Sequence, residues 1–358
     1  MNLLVLTSTK GSYNSLRPEA EIYVSLSKLG FNITIMTHGN GGYNSRFLEH
    51  GIKVINTSYD KKIDFKIIKQ ARKIIKEESI DIVYATNSKS ISNATFACIG
   101  TKVKLVTYRG TTGGLYKHDI SSYFNALHPR VNGVICVSQA VTKHVKKQVS
   151  SKKKVQTIYK GHKLDWYNQN KIDLAEFGTN EKNFNIAFVA NVRPHKGLIY
   201  VLEAAKELAG LKDIHILLIG ENINQEPYTS AIEQSGMKER ILMTGYRNDA
   251  PDIISACDVL VHASTRKEGL PRVILESLAS GTPVIASDNE SSLEIIQNGE
   301  NGFITPIKHS SAIAQAIKKL HTSPQLLEEL SKNCAKTIET TMAHKTTVNK
   351  YEEYFSSL

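Results

Sequence analysis

The sequence is poor in cysteine and tryptophan and contains no long apolar run. Its 358 residues include four cysteines and one tryptophan. Cys98, Cys136, Cys257 and Cys334 show no C-x-x-C spacing, so we expect neither a disulfide framework nor a structural zinc site, and a reducing cytoplasm is the simplest compartment. No stretch approaches the roughly 18 uncharged apolar residues of a membrane-spanning helix. The start also lacks the basic region of a signal peptide, and we expect a soluble or peripheral protein.

The composition is that of an ordinary globular protein. Hydrophobic residues make up 41% and charged residues 22% of the chain, which excludes a disordered, collagen-like or fibrous protein. The length exceeds one ordinary domain and predicts two, each of roughly 150 to 180 residues.

Positive charge is concentrated in the first half. Residues 1–170 carry 26 Lys and Arg against 10 Asp and Glu, a net charge of +16, whereas residues 171–358 carry 19 against 24, a net charge of −5. The first half is therefore expected to favour an anionic partner. No recognition-helix, zinc or aromatic stacking motif accompanies the lysines, so nucleic acid is not expected, and polyanion binding is the least favoured alternative.

Two series of alternating strand and helix patterns follow each other. The first predicts strands over 2–7, 32–37, 53–56, 81–85, 104–108 and 133–137, with helices over 18–29, 64–78 and 139–149. The second predicts strands over 185–190, 214–219, 241–244, 259–262 and 283–286, with helices over 197–209, 227–235, 250–256 and 273–279. An irregular stretch near 164–183 separates them as a linker. This predicts an α/β fold with two Rossmann-like domains rather than one β/α barrel.

The segment from Arg266 to Ala286 is the sharpest candidate for chemistry. It follows a strand, turns at Gly269 and Pro271, and enters an apolar helix. A helix start behind a glycine turn offers free amides to a phosphate. Glu268 lies before these amides and Glu276 lies eight residues later, about two helical turns along. An isolated pair with this spacing is usually two solvated glutamates, but this context favours a site.

A second candidate is the turn Arg193-Pro194-His195-Lys196-Gly197, between a strand and a helix. Arg193 and Lys196 are placed at the carboxyl edge of a parallel sheet, where such folds bind ligands. A guanidinium and an ammonium next to a helix start suit a diphosphate. Taken alone, two such residues are more often surface cations of a loop.

Together these motifs resemble the family 4 glycosyltransferases of the GT-B fold, with an R-x-x-K-G turn followed by an E-G-x6-E segment. The resemblance covers essentially all of the second half and includes 242–246, 256–259 and 294–303. It implies two Rossmann-like domains facing each other across a cleft. Residues 1–165, with a helix over 345–358 crossing back, would bind the acceptor, and residues 183–340 would bind the donor.

The resemblance also implies an activity. The protein would be a retaining hexosyltransferase of surface polysaccharide biosynthesis that moves a sugar from a UDP- or GDP-sugar to a glycan or lipid-linked acceptor, with no cofactor and no metal. Arg193 and Lys196 would neutralise the diphosphate, and Glu276 would accept hydrogen bonds from the ribose. Glu268 would face the donor sugar, as a nucleophile or an orienting group. Further donor contacts are expected at Gly245, Tyr246, Arg247, Gly269, Leu270, Pro271 and Arg272.

The first half matches the family more loosely. Gly11 stands alone where relatives carry a Gly-Gly pair, and a donor contact is expected there. Arg109 precedes the Gly-rich turn 110–114, where relatives often carry a histidine, and is assigned to the catalytic set. His118 with Asp119 could supply an imidazole, although such a pair in a loop is more often incidental.

Two lysine-rich stretches, 61–76 and 143–154, suit an anionic membrane surface. The ordinary interpretation of the first is a sheet-packing helix with a solvated basic face. Peripheral association with the inner face of the cell membrane is therefore an expectation from charge.

Two other enzyme classes also contain Rossmann-like halves. A sugar-nucleotide epimerase of similar architecture remains the main alternative to transfer. A dehydrogenase is excluded because no G-x-G-x-x-G follows a strand with an acidic residue about 20 positions later.

Overall fold

The computed structural model describes residues 1–167, 170, 172–266 and 268–358. The chain divides into two compact units, residues 1–161 with 344–358, and residues 162–343. Each unit is an α/β structure around its own parallel sheet, so the predicted pair of Rossmann-like folds is confirmed.

Strands and helices alternate through both units. Along the described residues the strands are β1 (Asn2–Leu6), β2 (Asn32–Thr37), β3 (Lys53–Asn56), β4 (Ile82–Ala85), β5 (Lys104–Arg109), β6 (Gly133–Cys136), β7 (Lys154–Thr157), β8 (Phe184–Val189), β9 (Ile214–Ile219), β10 (Ile241–Gly245), β11 (Val259–His262), β12 (Val284–Ser287) and β13 (Gly302–Thr305). The helices are α1 (Tyr13–Lys28), α2 (Asn44–Glu49), α3 (Phe65–Glu77), α4 (Ser88–Cys98), α5 (Gln139–Gln148), α6 (Leu198–Leu208), α7 (Tyr228–Glu233), α8 (Ala250–Ser255), α9 (Arg272–Ala279), α10 (Ser310–His321), α11 (Pro324–Thr340) and α12 (His344–Ser356).

The first unit contains a seven-stranded sheet in the order β3-β2-β1-β4-β5-β6-β7. The chain runs from β1 outward to β3 and then returns to build the other side from β4. The change of direction lies between β1 and β4, and ligands of such sheets bind at the carboxyl ends of the strands near this point.

Helix α3 shows how the local sequence specifies an element. Its N-cap is Asp64, whose carboxylate accepts hydrogen bonds from the amides of Lys66 and Ile67, and an Asp at this position stabilises a helix start. Its apolar stripe, Ile67, Ile68, Ala71, Ile74 and Ile75, is buried. The stripe is therefore part of the core, and only the basic face remains in solvent.

Helix α12 belongs to the first unit although it ends the chain. Tyr351, Tyr354 and Phe355 are buried in the core of that unit. The Tyr351 hydroxyl lies 3.0 Å from that of Tyr84 on β4, and the Tyr354 hydroxyl donates to the carbonyl of Lys154 at 2.6 Å. These aromatic contacts fix the helix to the sheet.

The second unit contains a six-stranded sheet in the order β10-β9-β8-β11-β12-β13. Strand β8 pairs with β9 on one side and with β11 on the other. The switch point of this sheet therefore lies between β8 and β11. Apolar residues of the strands, of α6 and of α10 form one continuous core.

The predicted linker is part of the second unit rather than a spacer. Leu174 is buried, and the Thr179 hydroxyl donates to Asn185 Oδ1 on β8 at 2.7 Å. The unit boundary lies between Gly161 and His162. Of the linker residues, 168, 169 and 171 lie outside the described part of the chain.

Several elements were not predicted, among them α2, α4 and β7. Helix α4 has the sequence SKSISNATFAC, in which serine, asparagine and threonine dominate, and such residues are poor formers of helix interiors. A capping box between Asn87 and Ser90 starts it. Ser92, Asn93 and Thr95 are buried and each donates to a backbone carbonyl four residues earlier. Tertiary burial thus overrides weak propensity.

The second lysine-rich stretch is partly consumed by packing. The Lys153 ammonium donates to the carbonyls of Ala126 and His128, and burial lowers its pKa to about 8. Lys154 lies on the ring of Tyr354 at 5.1 Å. These two lysines therefore serve the fold of the first unit.

All four cysteines are free and buried. Among the described residues, no helix combines the length and the apolar composition needed to cross a bilayer.

Candidate functional site

The switch point of the second sheet brings the two predicted motifs together. The loop after β8 carries Arg193 and Lys196, and the loop after β11 carries Glu268. Because β8 and β11 are parallel neighbours, both loops leave the sheet at the same carboxyl edge. This is where ligands bind in open α/β sheets.

Backbone contacts hold the two loops against each other. The Thr265 amide donates to the carbonyl of His195 at 2.8 Å. Gly197 has φ +75°, and a Cβ there would lie 2.0 Å from the carbonyl oxygen of Ala263. Only glycine combines this conformation with so close an approach. The R-x-x-K-G turn therefore needs its glycine for packing against the loop after β11.

Glu268 is the centre of the site. Its Oε1 accepts hydrogen bonds from Lys196 Nζ at 2.6 Å and from Ser264 Oγ at 2.6 Å. Ser291 Oγ donates to its backbone carbonyl at 3.1 Å. The side chains of Lys196 and Glu268 are 26% and 12% exposed, so the ion pair is sheltered but remains open to a ligand.

His262 lies close to this ion pair. Its Nε2 is 3.9 Å from Glu268 Oε1 and is buried without a hydrogen-bond partner among the described residues. Burial lowers the pKa of His262 to about 4, so the imidazole is neutral at pH 7. Burial alone would raise the pKa of Glu268, but the neighbouring His262 ring, the charge of Lys196 and hydrogen bonds from Lys196 and Ser264 outweigh it and lower that pKa. Glu268 is thus an ionised carboxylate.

The start of α9 contains the rest of the second motif. Pro271 occupies the N-cap position, Gly269 is buried and Leu270 is half-buried. Arg272 Nε donates to Glu276 Oε1 at 2.9 Å, and the Glu276 side chain is 6% exposed. Glu276 is therefore not a solvated glutamate. Lys267 of the same segment lies outside the described residues.

The loop after β10 was predicted to contact the donor. Gly245 has φ +73° and accepts a hydrogen bond from the Gly220 amide at 2.8 Å. Tyr246 is 53% exposed. Arg247 forms two hydrogen bonds to Asp249, at 2.8 and 2.6 Å, and its guanidinium lies 5.2 Å from the Phe177 ring. Of these residues, Tyr246 is the one that presents its side chain to solvent.

Arg193 is exposed on its loop and starts the short 3₁₀ helix Pro194–Lys196. Its carbonyl accepts from the Lys196 amide at 2.8 Å. The tight turn thereby keeps both cations on one loop, with Lys196 directed at Glu268 and Arg193 toward solvent.

The first unit presents a different group at its own carboxyl edge. Lys160 Nζ lies 2.6 Å from Glu19 Oε2 and 4.1 Å from the Tyr108 ring centroid. Glu19 also accepts from Thr7 at 3.0 Å and from Tyr23 at 2.8 Å. Burial opposes the charge of Glu19, but Lys160 and these hydrogen bonds lower its pKa. This cluster was not predicted, because Glu19, Tyr108 and Lys160 come from distant parts of the sequence.

The remaining candidates of the first unit take local roles in the structure. Gly11 is exposed with φ +152°. Arg109 donates to the carbonyls of Thr111 and Gly113, which shapes the Gly-rich turn. His118 is exposed and stacks on Tyr116, while Asp119 caps the 3₁₀ helix Ile120–Phe124. The His118–Asp119 pairing considered from the sequence is thus replaced by separate local contacts.

The described residues contain no group of three or more His, Cys, Asp or Glu side chains arranged to hold a metal ion. The charges that the second unit offers at its switch point are instead Lys196, Arg193 and Glu268. Such a set can neutralise phosphate oxygens and accept hydrogen bonds from hydroxyl groups.

Sequence reasoning missed the residues that support Glu268. Ser264 and His262 stand four and six positions before Glu268, at the end of β11. A serine or histidine at a strand end gives no recognisable signal alone. Only the fold of the turn shows that both side chains return toward the carboxylate.

Two family models match the chain. The model described as Glycosyltransferase Family 4 matches residues 20–166, and the model described as Glycosyl transferases group 1 matches residues 169–337. The second match includes the Lys196–Glu268 pair and α9.

Individual relatives agree with these matches. EpsD of Bacillus subtilis (strain 168) is 32% identical over 161 residues, which cover 45% of this chain and 42% of that protein. The UDP-Gal:alpha-D-GlcNAc-diphosphoundecaprenol alpha-1,3-galactosyltransferase of Escherichia coli is 26% identical over 290 residues, which cover 76% of this chain and 74% of that protein. The crystal structure of Anabaena Alr3699/HepE in complex with UDP and glucose is similar with a TM-score of 0.81 at 20% identity, over all of both chains. At that identity the similarity shows the fold alone.

Proposed function

The chain belongs to glycosyltransferase family 4, of the GT-B type, and from this premise we propose that it transfers a sugar from a nucleoside diphosphate sugar to a glycan or lipid-linked acceptor with retention of configuration. The observation that carries the proposal is the ion pair between Lys196 and Glu268, 2.6 Å long, at the switch point of the second sheet. It lies within the matched region 169–337.

In the proposed reaction the bond between the sugar C1 and the diphosphate oxygen breaks, and the acceptor hydroxyl oxygen bonds to C1. The electron pair of the broken bond leaves with the diphosphate, and the hydroxyl proton follows to that leaving group. Lys196 and Arg193 stabilise the charge that develops there, an electrostatic contribution from preorganised groups. A metal is not required in this scheme.

Glu268 is proposed to face the sugar. Its carboxylate is already ionised and is fixed by Lys196 and Ser264. It can accept hydrogen bonds from sugar hydroxyls or stabilise positive charge at C1. Glu276, held by Arg272 at 2.9 Å, is proposed to accept from the ribose hydroxyls. Tyr246, exposed after β10, is proposed to contact the base.

The names of the relatives suggest the substrates. The Escherichia coli relative is named for UDP-Gal and a diphosphoundecaprenol-linked acceptor, and the Anabaena structure holds UDP and glucose. We therefore propose a UDP-sugar donor ahead of a GDP-sugar, and a surface polysaccharide precursor as acceptor. The acceptor is assigned to the first unit, and the protein to the cytoplasm at the inner face of the cell membrane.

Thermal unfolding in the presence of UDP, GDP, ADP, CMP or NAD, with and without EDTA, tests the donor site. A ligand at about 100 times its Kd stabilises the native state by roughly 2.7 kcal/mol. We expect one nucleoside diphosphate to raise Tm, with no effect of EDTA, and Lys196→Ala to reduce the shift. Lys206→Ala, an exposed lysine on α6, is the control and should keep the full shift. If no diphosphate changes Tm, the proposed donor site is wrong.

Product analysis distinguishes transfer from epimerisation, which the family matches do not favour. An epimerase converts the donor sugar without an acceptor, whereas a transferase needs the acceptor to form its glycoside. Proton NMR of the first product formed gives the anomeric configuration. An inverted product would contradict retention while leaving the transferase assignment in place.

A further inference from the structure

The first unit displays a surface on which exposed apolar side chains stand among lysines. It consists of Ile63 and Phe65 at the start of α3, Ile120 and Tyr123 in the connection after β5, and the neighbouring Lys61, Lys62, Lys66, Lys69 and Lys117. We call it the Phe65–Ile120 surface.

Its two segments are fixed to one helix, α4, from either side. The Asp64 amide donates to Asn93 Oδ1 at 2.8 Å, and Asn93 Nδ2 donates to the carbonyl of Lys61 at 3.2 Å. On the other side, Ser92 Oγ donates to the carbonyl of Phe124 at 2.8 Å, and Asn125 Nδ2 donates to Ser88 Oγ at 3.1 Å. The two segments are therefore neighbours in space although they are far apart in the sequence.

A charge interaction also links the segments. Hydrogen bonds from Ser121 and Ser122 lower the pKa of Asp119, and the charge of Lys62 lowers it further. Lys62 therefore lies near the residue that precedes Ile120, which places the lysine cluster next to the apolar residues of the other segment.

The apolar side chains are exposed to an unusual degree. Phe65 is 82% exposed and Ile120 77%, with Tyr123 at 45% and Ile63 at 39%. Helix α3 already has a core-facing side, because its apolar stripe from Ile67 to Ile75 is buried. Phe65 lies outside that stripe and remains in solvent. A cluster of large exposed apolar residues on a folded domain marks an interaction surface.

The surrounding charge is positive. All five lysines of the surface are exposed. The acidic residues nearby are Asp60, Asp64 and Asp119, and the last two are engaged in capping a helix. Arg72 is not part of the surface, since its guanidinium donates to the carbonyls of Phe96, Ala97 and Ile99 at the other end of α4.

The position in the fold is also informative. Phe65 follows β3, α4 follows β4, and Ile120 follows β5. Because these strands are parallel, all three connections lie at the carboxyl edge of the sheet. The surface therefore shares the edge at which the first unit would bind a ligand.

We propose that the Phe65–Ile120 surface docks the protein onto an anionic lipid bilayer, with Phe65 and Ile120 inserted between head groups and the lysines on the lipid phosphates. Charge complementarity selects the occupant, and the protruding apolar side chains select a bilayer over a soluble polyanion. This deepens the proposed function, on which it rests for its purpose: docking at this edge brings a lipid-linked acceptor to the first unit.

Vesicle cosedimentation of the full chain, without donor or acceptor, tests the surface. The probes are vesicles of phosphatidylcholine containing phosphatidylglycerol and vesicles of phosphatidylcholine alone. We expect wild type to prefer the anionic vesicles and to bind less tightly as salt rises. The double variant Phe65→Ser, Ile120→Ser should weaken binding by about tenfold or more, because it lacks the apolar side chains that the bilayer would bury. Lys62→Glu with Lys66→Glu should weaken it by at least about fivefold per lysine.

Matched controls lie at the opposite edge of the same unit. Leu48 is 61% exposed at the end of α2, and Lys28 is exposed at the end of α1. Leu48→Ser and Lys28→Glu should bind vesicles like wild type. Equal binding of wild type to both kinds of vesicle, or wild-type binding by the Phe65, Ile120 double variant, overturns the proposal.

Two further measurements separate this proposal from its alternatives. Binding to double-stranded DNA that depends on Lys62 and Lys66 but not on Phe65 and Ile120, together with no vesicle binding, would identify a polyanion site and overturn it. The Tm shift caused by UDP should be the same in wild type and in the Phe65, Ile120 double variant. If the double variant loses vesicle binding but keeps the full UDP shift, the docking surface is supported. If wild type binds vesicles but shows no UDP shift, the surface stands and the donor site is refuted.

Discussion

Replacing Gly197 by alanine tests whether the two loops of the candidate site are held together as the structure shows. Gly197 has φ +75°, and its added Cβ would lie 2.0 Å from the Ala263 carbonyl oxygen. A left-handed conformation costs a non-glycine residue about 1–2 kcal/mol. The oxygen belongs to the backbone, so one loop must move to relieve the contact. We expect a total destabilisation of about 2–4 kcal/mol.

Thermal unfolding of the variant measures this cost. For a unit of this size a loss of 1 kcal/mol lowers Tm by about 2–4 °C, so the transition of the second unit should fall by roughly 5–15 °C. The UDP shift proposed above should also shrink, because Lys196 precedes the altered residue and Glu268 follows Ala263 on the facing loop.

Two other glycines separate the contributions. Gly299 has φ +84° and open space around its Cβ position, so Gly299→Ala should show the conformational cost alone, about 1–2 kcal/mol. Gly210 also has open space and no left-handed conformation, so Gly210→Ala should be neutral or stabilising by up to about 1 kcal/mol. If Gly197→Ala is no less stable than Gly299→Ala, the close approach to Ala263 is refuted.

Three further predictions concern ion pairs and the last helix. Lys160→Met should destabilise the first unit by about 2–4 kcal/mol in urea unfolding, because Glu19 loses its cation in a largely enclosed site. The control Lys73→Met removes one partner of an exposed pair 3.8 Å long and should cost less than about 0.5 kcal/mol. Equal effects of the two variants would contradict this prediction. The folded-state pKa values of Glu19 and Glu268 lie below the ordinary value of 4.5, so the stability that these carboxylates contribute is present above that pH and is lost as pH falls through the lower folded values. Between neutral pH and about pH 3, Tm should therefore fall less steeply for Glu268→Gln than for wild type. An unchanged slope would argue against an ionised carboxylate at Glu268. Tyr351→Ala should destabilise the first unit by about 3–5 kcal/mol, measured by thermal unfolding, and an unaffected Tm would contradict the packing of α12 against the sheet.

The two carboxyl edges use similar charges differently. In the second unit one carboxylate oxygen of Glu268 is bonded to Lys196 and Ser264, and Lys196 and Glu268 lie in the connections after β8 and β11. In the first unit Glu19 is bonded through both oxygens, to Lys160, Thr7 and Tyr23, and it stands on a helix. The arrangement around Glu268 leaves hydrogen-bonding capacity for a ligand, whereas the carboxylate of Glu19 is nearly saturated by the protein.

Local sequence predicted most of the elements and the location of the candidate site. Strands β2, β3, β9 and β11 begin and end where the apolar runs predict, and α3 differs from its predicted range by one residue at each end. Helix α1 begins at Tyr13 rather than at Pro18, because a proline marks a helix start only as a tendency. Helix α4 was not predicted, because its sequence is rich in polar residues. The hydrogen bonds that allow these residues to be buried are not visible in the sequence.

The sequence by itself determined the two β/α series, the concentration of positive charge in the first half and the two motifs that match the family. These depend on periodicity, composition and short spacings, which are local properties of the chain. Tertiary structure alone decided that Lys196 and Ser264 share one oxygen of Glu268, that Lys160 pairs with Glu19, and that Phe65 and Ile120 lie on one surface. The physical reason is that each of these contacts joins side chains from separate segments, so it depends on strand order and loop approach, which no local pattern encodes.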